Sequence, residues 1–209
     1  MATRAVEADP MEGRIARWSE VQRRGVPVMF IDSVLLGHYR MNYPIIGDTA
    51  SENPDVTPAI TMPHQFRIGM LEAPPGNGPA WHSHSYVELF VPLTGRWRFC
   101  YGLNADDPKD LEGETIVEPW DVISFPPQLW RSFENIGDYN AVGLVVLDPC
   151  DVVEEKDPIW PQWLVGQAME AGVLASQTGG MIKPDNFHEL EAEITARIHS
   201  GGPADSHRC

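Results

Sequence analysis

From Phe66 to Leu147 apolar and polar residues alternate in short runs, and the alternation stops at clusters of turn formers. A period of two puts successive side chains on opposite faces of a strand. The runs 66–72, 81–91, 96–101, 114–117, 121–125, 130–134 and 141–147 are therefore predicted strands. The joints between them, such as Pro74-Pro75-Gly76-Asn77-Gly78 and Asn104-Ala105-Asp106-Asp107-Pro108, combine fixed or permissive backbone with polar side chains. Short strands at this spacing fit an all-β antiparallel jelly roll.

The flanks follow other periods. Met11 to Arg24 carries Ile15, Trp18 and Val21 at three-residue spacing and is predicted helical, with Gly25 as terminator. Val28 to Ile31 is a short predicted strand. In 32–64, Pro44, Pro54, Pro58 and Pro63 interrupt regular structure, yet Tyr39, Met41, Tyr43, Ile45 and Ile46 are too apolar for a free linker. One or two strands wrapping the barrel, or a dimer contact, are expected there. Trp160 to Leu174 is predicted helical despite Gly166 and Gly172. Asp185 can cap a helix running to Ser200, with Phe187, Leu190, Ile194 and Ile198 on one stripe. The expected division is an N-terminal helix and arm over 1–65, a barrel over 66–148, helices packed on it over 149–200 and a disordered tail over 201–209; residues 1–10 are also expected to be disordered. No internal repeat is present.

Composition narrows the functional classes. The chain has 209 residues, enough for one substantial core, and its net charge of −15 disfavours nucleic acid and anionic membrane surfaces as partners. Cys100, Cys150 and Cys209 are too few and too scattered for a disulfide framework. The first ten residues lack an apolar signal region, and no run of about 18 apolar residues could span a membrane. A cytoplasmic protein with reduced thiols is expected. No phosphate-binding loop, dinucleotide fingerprint or serine-nucleophile elbow is found.

The chemistry concentrates in the segment from Gly76 to Glu88. His82, His84 and Glu88 sit at even offsets and so share one face of a strand. Two imidazoles and a carboxylate suit Fe(II), Mn(II), Ni(II) or Zn(II) better than Mg²⁺ or Ca²⁺. The same parity turns Tyr86 and Phe90 inward, where Tyr86 could orient a substrate or move a proton, or pack the core. His64 and His38, ahead of the strands, could replace a ligand, although a lone His in a Pro-rich segment is more often structural. His188, His199 and His207 are expected in solvent. Trp81, Trp97, Trp120 and Trp130 could face an apolar or aromatic substrate or fill the core. Arg96 and Arg98 alternate with Trp97 and Phe99, so one set faces in and the other out.

The spacing of Gly76, His82, His84, Glu88 and Gly95 resembles the first motif of the cupin superfamily: Gly, five residues, His-x-His, three or four residues, Glu, six residues, Gly. A second motif of that family is altered. With Pro126 and Asn135 as anchors, Trp120 and Gln128 stand at its two glycines, Asp121 fits the residue after the first of them, and Arg131 stands at its His. A guanidinium has no lone pair to give a metal, so the usual fourth ligand is missing. The resemblance covers about residues 66–147.

The resemblance implies a cupin-type jelly-roll β-barrel, a homodimer, and a metal-dependent enzyme acting on a small organic acid or aromatic compound. Ring-cleaving and carbon–carbon-cleaving dioxygenases are frequent in the family. His82, His84 and Glu88 would hold the metal, Fe(II) before Mn, Ni or Zn. Arg131 would anchor an anionic substrate, pair with Glu88 in place of a metal, or reach solvent. Gln128 could touch a ligand or face solvent. A metal-dependent lyase or isomerase using Tyr86, and a non-enzymatic, metal-free cupin binding a small anion, are the alternatives.

Overall fold

The computed structural model describes residues 11–27, 29–47, 51–148, 157–177 and 179–200. The tails expected to be disordered, together with Val28, Cys150, His207 and Cys209, lie outside these residues. Antiparallel strands build two sheets: β1 Met41–Ile46, β2 Arg67–Ala73, β3 Glu88–Pro92, β4 Trp97–Gly102, β5 Gly113–Val117, β6 Ile123–Phe125, β7 Trp130–Asn135 and β8 Ala141–Leu147. The larger sheet runs β1-β2-β8-β3-β6 and the smaller β5-β4-β7. The result is the expected antiparallel jelly roll, built of two facing sheets; among the described residues the strands do not close into one continuous barrel. Pro44 is tolerated inside β1 because that strand lies at the edge of its sheet, next to a bulge between Pro44 and Ile46.

Inward positions of both sheets meet in one core of Leu71, Ala73, Phe90, Trp97, Phe99, Val117, Phe125, Phe133 and Ala141. The rings of Phe99 and Phe133 stack with centroids 4.5 Å apart, and Phe90 packs edge-on against Phe99 and Trp97. Trp97 and Phe99 are thus the inward set. Arg96 and Arg98 pair with Glu118 and Glu134. Gly143 lets Phe90 approach, since a Cβ there would lie 2.1 Å from its ring.

The flanking segments cover this sandwich. α2 (Gln162–Glu170) and the stretch Met29-Phe30-Ile31 form a second cluster with Ala80, Trp160 and Phe187. α3 (Phe187–Ser200) lays Ile194 and Ile198 on Tyr39, Met41, Tyr43 and Ile45 at β1. This packing offsets the marginal stability of short helices.

Four local expectations are corrected. The helix over 11–24 shrinks to α1 (Trp18–Val21), because Gly13 takes φ 71°, Arg17 is extended, and Ile15 stays exposed. The strand expected over 28–31 gives way to a 3₁₀ turn at Ile31–Ser33; an apolar run shows burial but not the period. The strand expected over 81–91 is regular only from Glu88. Cys100 takes part in a disulfide, against the expectation of reduced thiols, since cysteine spacing carries no pairing information. Among the described residues no helix is long and apolar enough to cross a membrane.

Candidate metal centre

The motif segment passes from one sheet to the other. His82 makes a two-way backbone bridge to Arg131 on β7, each N–H donating to the other's carbonyl at 2.9 Å. Six residues later Glu88 opens β3, between Leu147 of β8 and Phe125 of β6. The motif glycines take the left-handed backbone their positions require: Gly76 has φ 72° and donates its N–H to the Asn135 carbonyl at 2.8 Å, and Gly95 has φ 72°. Trp120 and Gln128, which replace the glycines of the second motif, hold φ 76° and 66°. The turn geometry has outlived the residue type. Gln128 is exposed, and its N–H donates to the His84 carbonyl at 2.7 Å, tying that turn to the first motif. Asn135 fixes the far end of β7 through its Nδ2, which donates to the carbonyls of Ala73 at 3.0 Å and Tyr139 at 2.7 Å.

His82, His84 and Glu88 are all buried, and one ligand atom from each lies within 4.8 Å of the others. Both imidazoles are oriented from behind. Nδ1 of His82 donates to the Ala80 carbonyl at 2.6 Å, and Nδ1 of His84 donates to Oδ1 of Asp157 at 2.6 Å. A neutral ring with Nδ1–H engaged leaves Nε2 as a lone-pair donor. Burial, and then the Arg131 charge, holds both rings below the usual histidine range, well below it for His82. The donor set therefore fits a divalent transition metal: two neutral imidazoles and a carboxylate, with ring orientation fixed.

Arg131 is fully buried and turned onto Glu88. Its Nε lies 3.0 Å from Oε2, Nη2 donates to the same oxygen, and Nη1 donates to the Leu129 carbonyl at 3.0 Å. Burial pushes the Glu88 carboxyl up, but Arg131, the neighbouring His84 and Arg40 outweigh it and the net direction is downward. Of the roles open to Arg131, the structure displays the ion pair. The Glu88 oxygen that faces Nε2 of His84, at 3.8 Å, is the same Oε2 that Arg131 holds, so a metal on the triad would share the carboxylate with the guanidinium.

Tyr86 is buried, but its hydroxyl donates to Oδ2 of Asp157 and its ring lies 4.4 Å beneath the Arg67 guanidinium. It therefore holds the carboxylate that orients His84, and it does not line the cavity described next. Burial, and then the Asp157 charge, raises its pKa far above the usual tyrosine value. Asp157 was not legible as a site residue: it lies 73 residues beyond His84. Nδ1 of His64 donates to the Met62 carbonyl at 2.7 Å and Nδ1 of His38 to the Gly78 carbonyl at 3.0 Å; neither joins the triad. His188 and His199 are exposed.

The triad opens on a cavity with a volume of about 50 Å³, lined further by Arg40, Asn42, Pro44, Leu71, Val145 and Leu147. Arg40 and Asn42 escaped the sequence reading, although residues 40, 42 and 44 share a parity that places them on one face of β1 and its approach. None of the four tryptophans named from the sequence lines the cavity. Trp97 is core, Trp120 is 76% exposed, and Nε1 of Trp81 donates to the Asn104 carbonyl.

Two facing antiparallel sheets, a complete first motif and glycine-like backbone at both substituted glycines of the second are the features this chain shares with the cupin pattern its sequence resembles. No protein-family model and no curated protein matches it. Among solved structures it is similar to a putative sugar phosphate isomerase from Acidithiobacillus ferrooxidans, at 20% identity and TM-score 0.49, covering 68% of this chain and 78% of that one. It is also similar to the DMSP lyase DddQ from Ruegeria pomeroyi, at 16% identity and TM-score 0.48, covering 66% and 61%. A cupin-2 domain from Rhodospirillum rubrum matches at 16% and TM-score 0.42, covering 59% and 66%. The match thus spans less than two thirds of the last two chains. Likeness at this level concerns fold and carries nothing about activity.

Proposed function

We propose that this cupin is a metal-dependent enzyme acting on a small organic acid, with the metal held by Nε2 of His82, Nε2 of His84 and the Glu88 carboxylate. The observation that carries the reading is the convergence of three buried ligand atoms on a cavity, with both Nδ1–H groups already engaged. Three protein ligands leave up to three positions of an octahedral ion open, where the metal would bring substrate together with water or O₂. Fe(II) is the first choice, ahead of Mn, Ni and Zn. On the measure by which one water needs about 10–15 Å³, the cavity takes about four waters, which suits a small acid and not an aromatic ring.

The acid–base side chains on the wall are the triad and Tyr43, and the Tyr43 hydroxyl donates to Glu72 at 2.7 Å. Once the triad holds a metal, no untied base is left on the wall among the described residues. That favours dioxygenase chemistry over a lyase or isomerase, which would need a group to carry a proton. A homodimer belongs to the same proposal and is read from sedimentation. Oxygen uptake tests the reaction class. Fe(II)-loaded protein is expected to consume O₂ with three- or four-carbon acids, and His84→Ala to stop it. Turnover of such an acid without O₂ would assign a lyase or isomerase instead.

One observation favours a second reading. The closed Arg131–Glu88 pair satisfies the carboxylate without a metal, as in a non-enzymatic cupin that binds a small anion. Wild-type protein that binds acids but takes up no metal would establish it.

A further inference from the structure

The cavity has a second polar end, opposite in character to the triad. Arg40 is buried, and its Nε lies 2.5 Å from Oδ2 of Asp32. Among the described residues its two terminal nitrogens have no hydrogen-bond acceptor, and Arg40 lines the cavity. Two residues on, Nδ2 of Asn42 is buried with no acceptor and lines the same cavity. A buried amide donor left unpaired is destabilising, so such a group calls for a partner that arrives with a ligand. Between this end and the triad the wall is apolar, from Leu71, Val145 and Leu147.

Charge points the same way. Glu88 with Arg131, and Asp32 with Arg40, are two neutral pairs. A divalent ion on the triad would leave the cavity at about plus two in a low-dielectric setting, which favours an anionic ligand.

We propose that Arg40 and Asn42 form the carboxylate-anchoring end of the cavity, so that the substrate class is a short aliphatic carboxylic acid of about six non-hydrogen atoms. The carboxylate accepts from the guanidinium and from Nδ2 of Asn42, the chain lies along Leu71, Val145 and Leu147, and the other end reaches the triad. Arg40, and not Arg131, is then the residue that recognises the anion. This rests on reading the cavity as the substrate site.

Titration calorimetry with butyrate and butyramide tests it, using the full chain stripped by chelator and loaded with Zn(II). Butyrate is expected to bind at least about tenfold more tightly than the isosteric amide in both states. Asn42→Asp leaves the Arg40–Asp32 pair in place and sets a negative charge against the ligand. It is expected to weaken butyrate about tenfold or more with zinc content unchanged. Arg40→Gln should do the same, and Asn42→Asp keeps the test open if removing the partner of Asp32 unfolds the chain. Equal binding of acid and amide overturns the proposal, as does a preference for butyrate that appears only with zinc and survives Asn42→Asp. Butyrate binding that depends on Asn42 in a protein that takes no metal supports this anchor and overturns the metal-dependent reading alone.

Discussion

Arg131 of the smaller sheet and Glu88 of the larger one form a buried ion pair, with Nε 3.0 Å from Oε2 and Nη2 donating to the same oxygen. The guanidinium stands where the second motif that the sequence resembles places a histidine. It does not compete for the metal through a lone pair; it competes for the carboxylate.

That relationship gives a test with a sign. Arg131→Met leaves Glu88 buried and unpaired, which should cost about 3–5 kcal/mol in metal-free protein. A cation on the triad replaces the lost charge, so Zn(II) should restore more of the melting temperature in this variant than in wild type. Arg131→His should go further, by offering a fourth ligand and tightening metal binding. Melting curves with and without Zn(II) separate these outcomes from simple loss of packing, which metal would not repair.

Asp157 orients His84 through Nδ1 and is itself held by the Tyr86 hydroxyl. Asp157→Ala should lower metal affinity about 10–100-fold, the usual effect of removing a group behind a ligating histidine. Tyr86→Phe should have a smaller effect, since the His84–Asp157 bond persists. Competition of wild type and variants against a fluorescent zinc chelator measures both.

How much of this was legible in the sequence depended on what each residue's neighbours require. The strands were, because period two survives wherever one face is buried. The triad was, because His82, His84 and Glu88 sit on one short segment at fixed offsets. The division of the strands between two sheets was not, since the partner of a strand leaves no local signature. Asp157 was not, because its partner is supplied by tertiary folding from a distant segment. Arg40 and Asn42 could have been found from their shared parity with Pro44, but that proline and the ones after it masked the alternation. The helix expected over 11–24 failed for the reverse reason: its stripe was real, but Ile15 stays exposed.

Trp120 and Gln128 show how a motif can persist in backbone alone. A left-handed conformation costs a residue with a Cβ about 1–2 kcal/mol relative to glycine. Gln128 is exposed, so Gln128→Gly should raise stability by up to about 1 kcal/mol, less the flexibility glycine adds to the unfolded chain. Denaturant midpoints at equal slope would measure it. A loss of stability would mean that the Gln128 side chain makes a favourable contact.

Stability should carry a pH signature from Glu52. Its Oε2 accepts from the Phe30 N–H at 3.0 Å and its Oε1 from Nε1 of Trp160 at 2.7 Å. Burial raises its pKa to about 7 from 4.5, against the pull of those donors. A carboxyl with a raised folded-state pKa binds more protons folded than unfolded, so its contribution is full below about pH 4.5 and is lost as pH rises through about 7. Glu52→Gln removes that titration but leaves one donor without its acceptor, costing about 1–3 kcal/mol. The gap in melting temperature between variant and wild type should therefore narrow from pH 5 to pH 8. A constant gap would show that Glu52 does not titrate in this window.

The most direct measurement is the metal content of protein made without a metal-affinity tag, exposed in turn to Fe(II), Mn(II), Ni(II) and Zn(II) and then dialysed. About one ion per chain is expected with at least one of these metals, falling to background in His82→Ala, His84→Ala and Glu88→Ala while the variants stay folded. Folded wild-type protein that holds none of the four, with Arg131 still closed on Glu88 in its crystal structure, would contradict the metal-dependent reading.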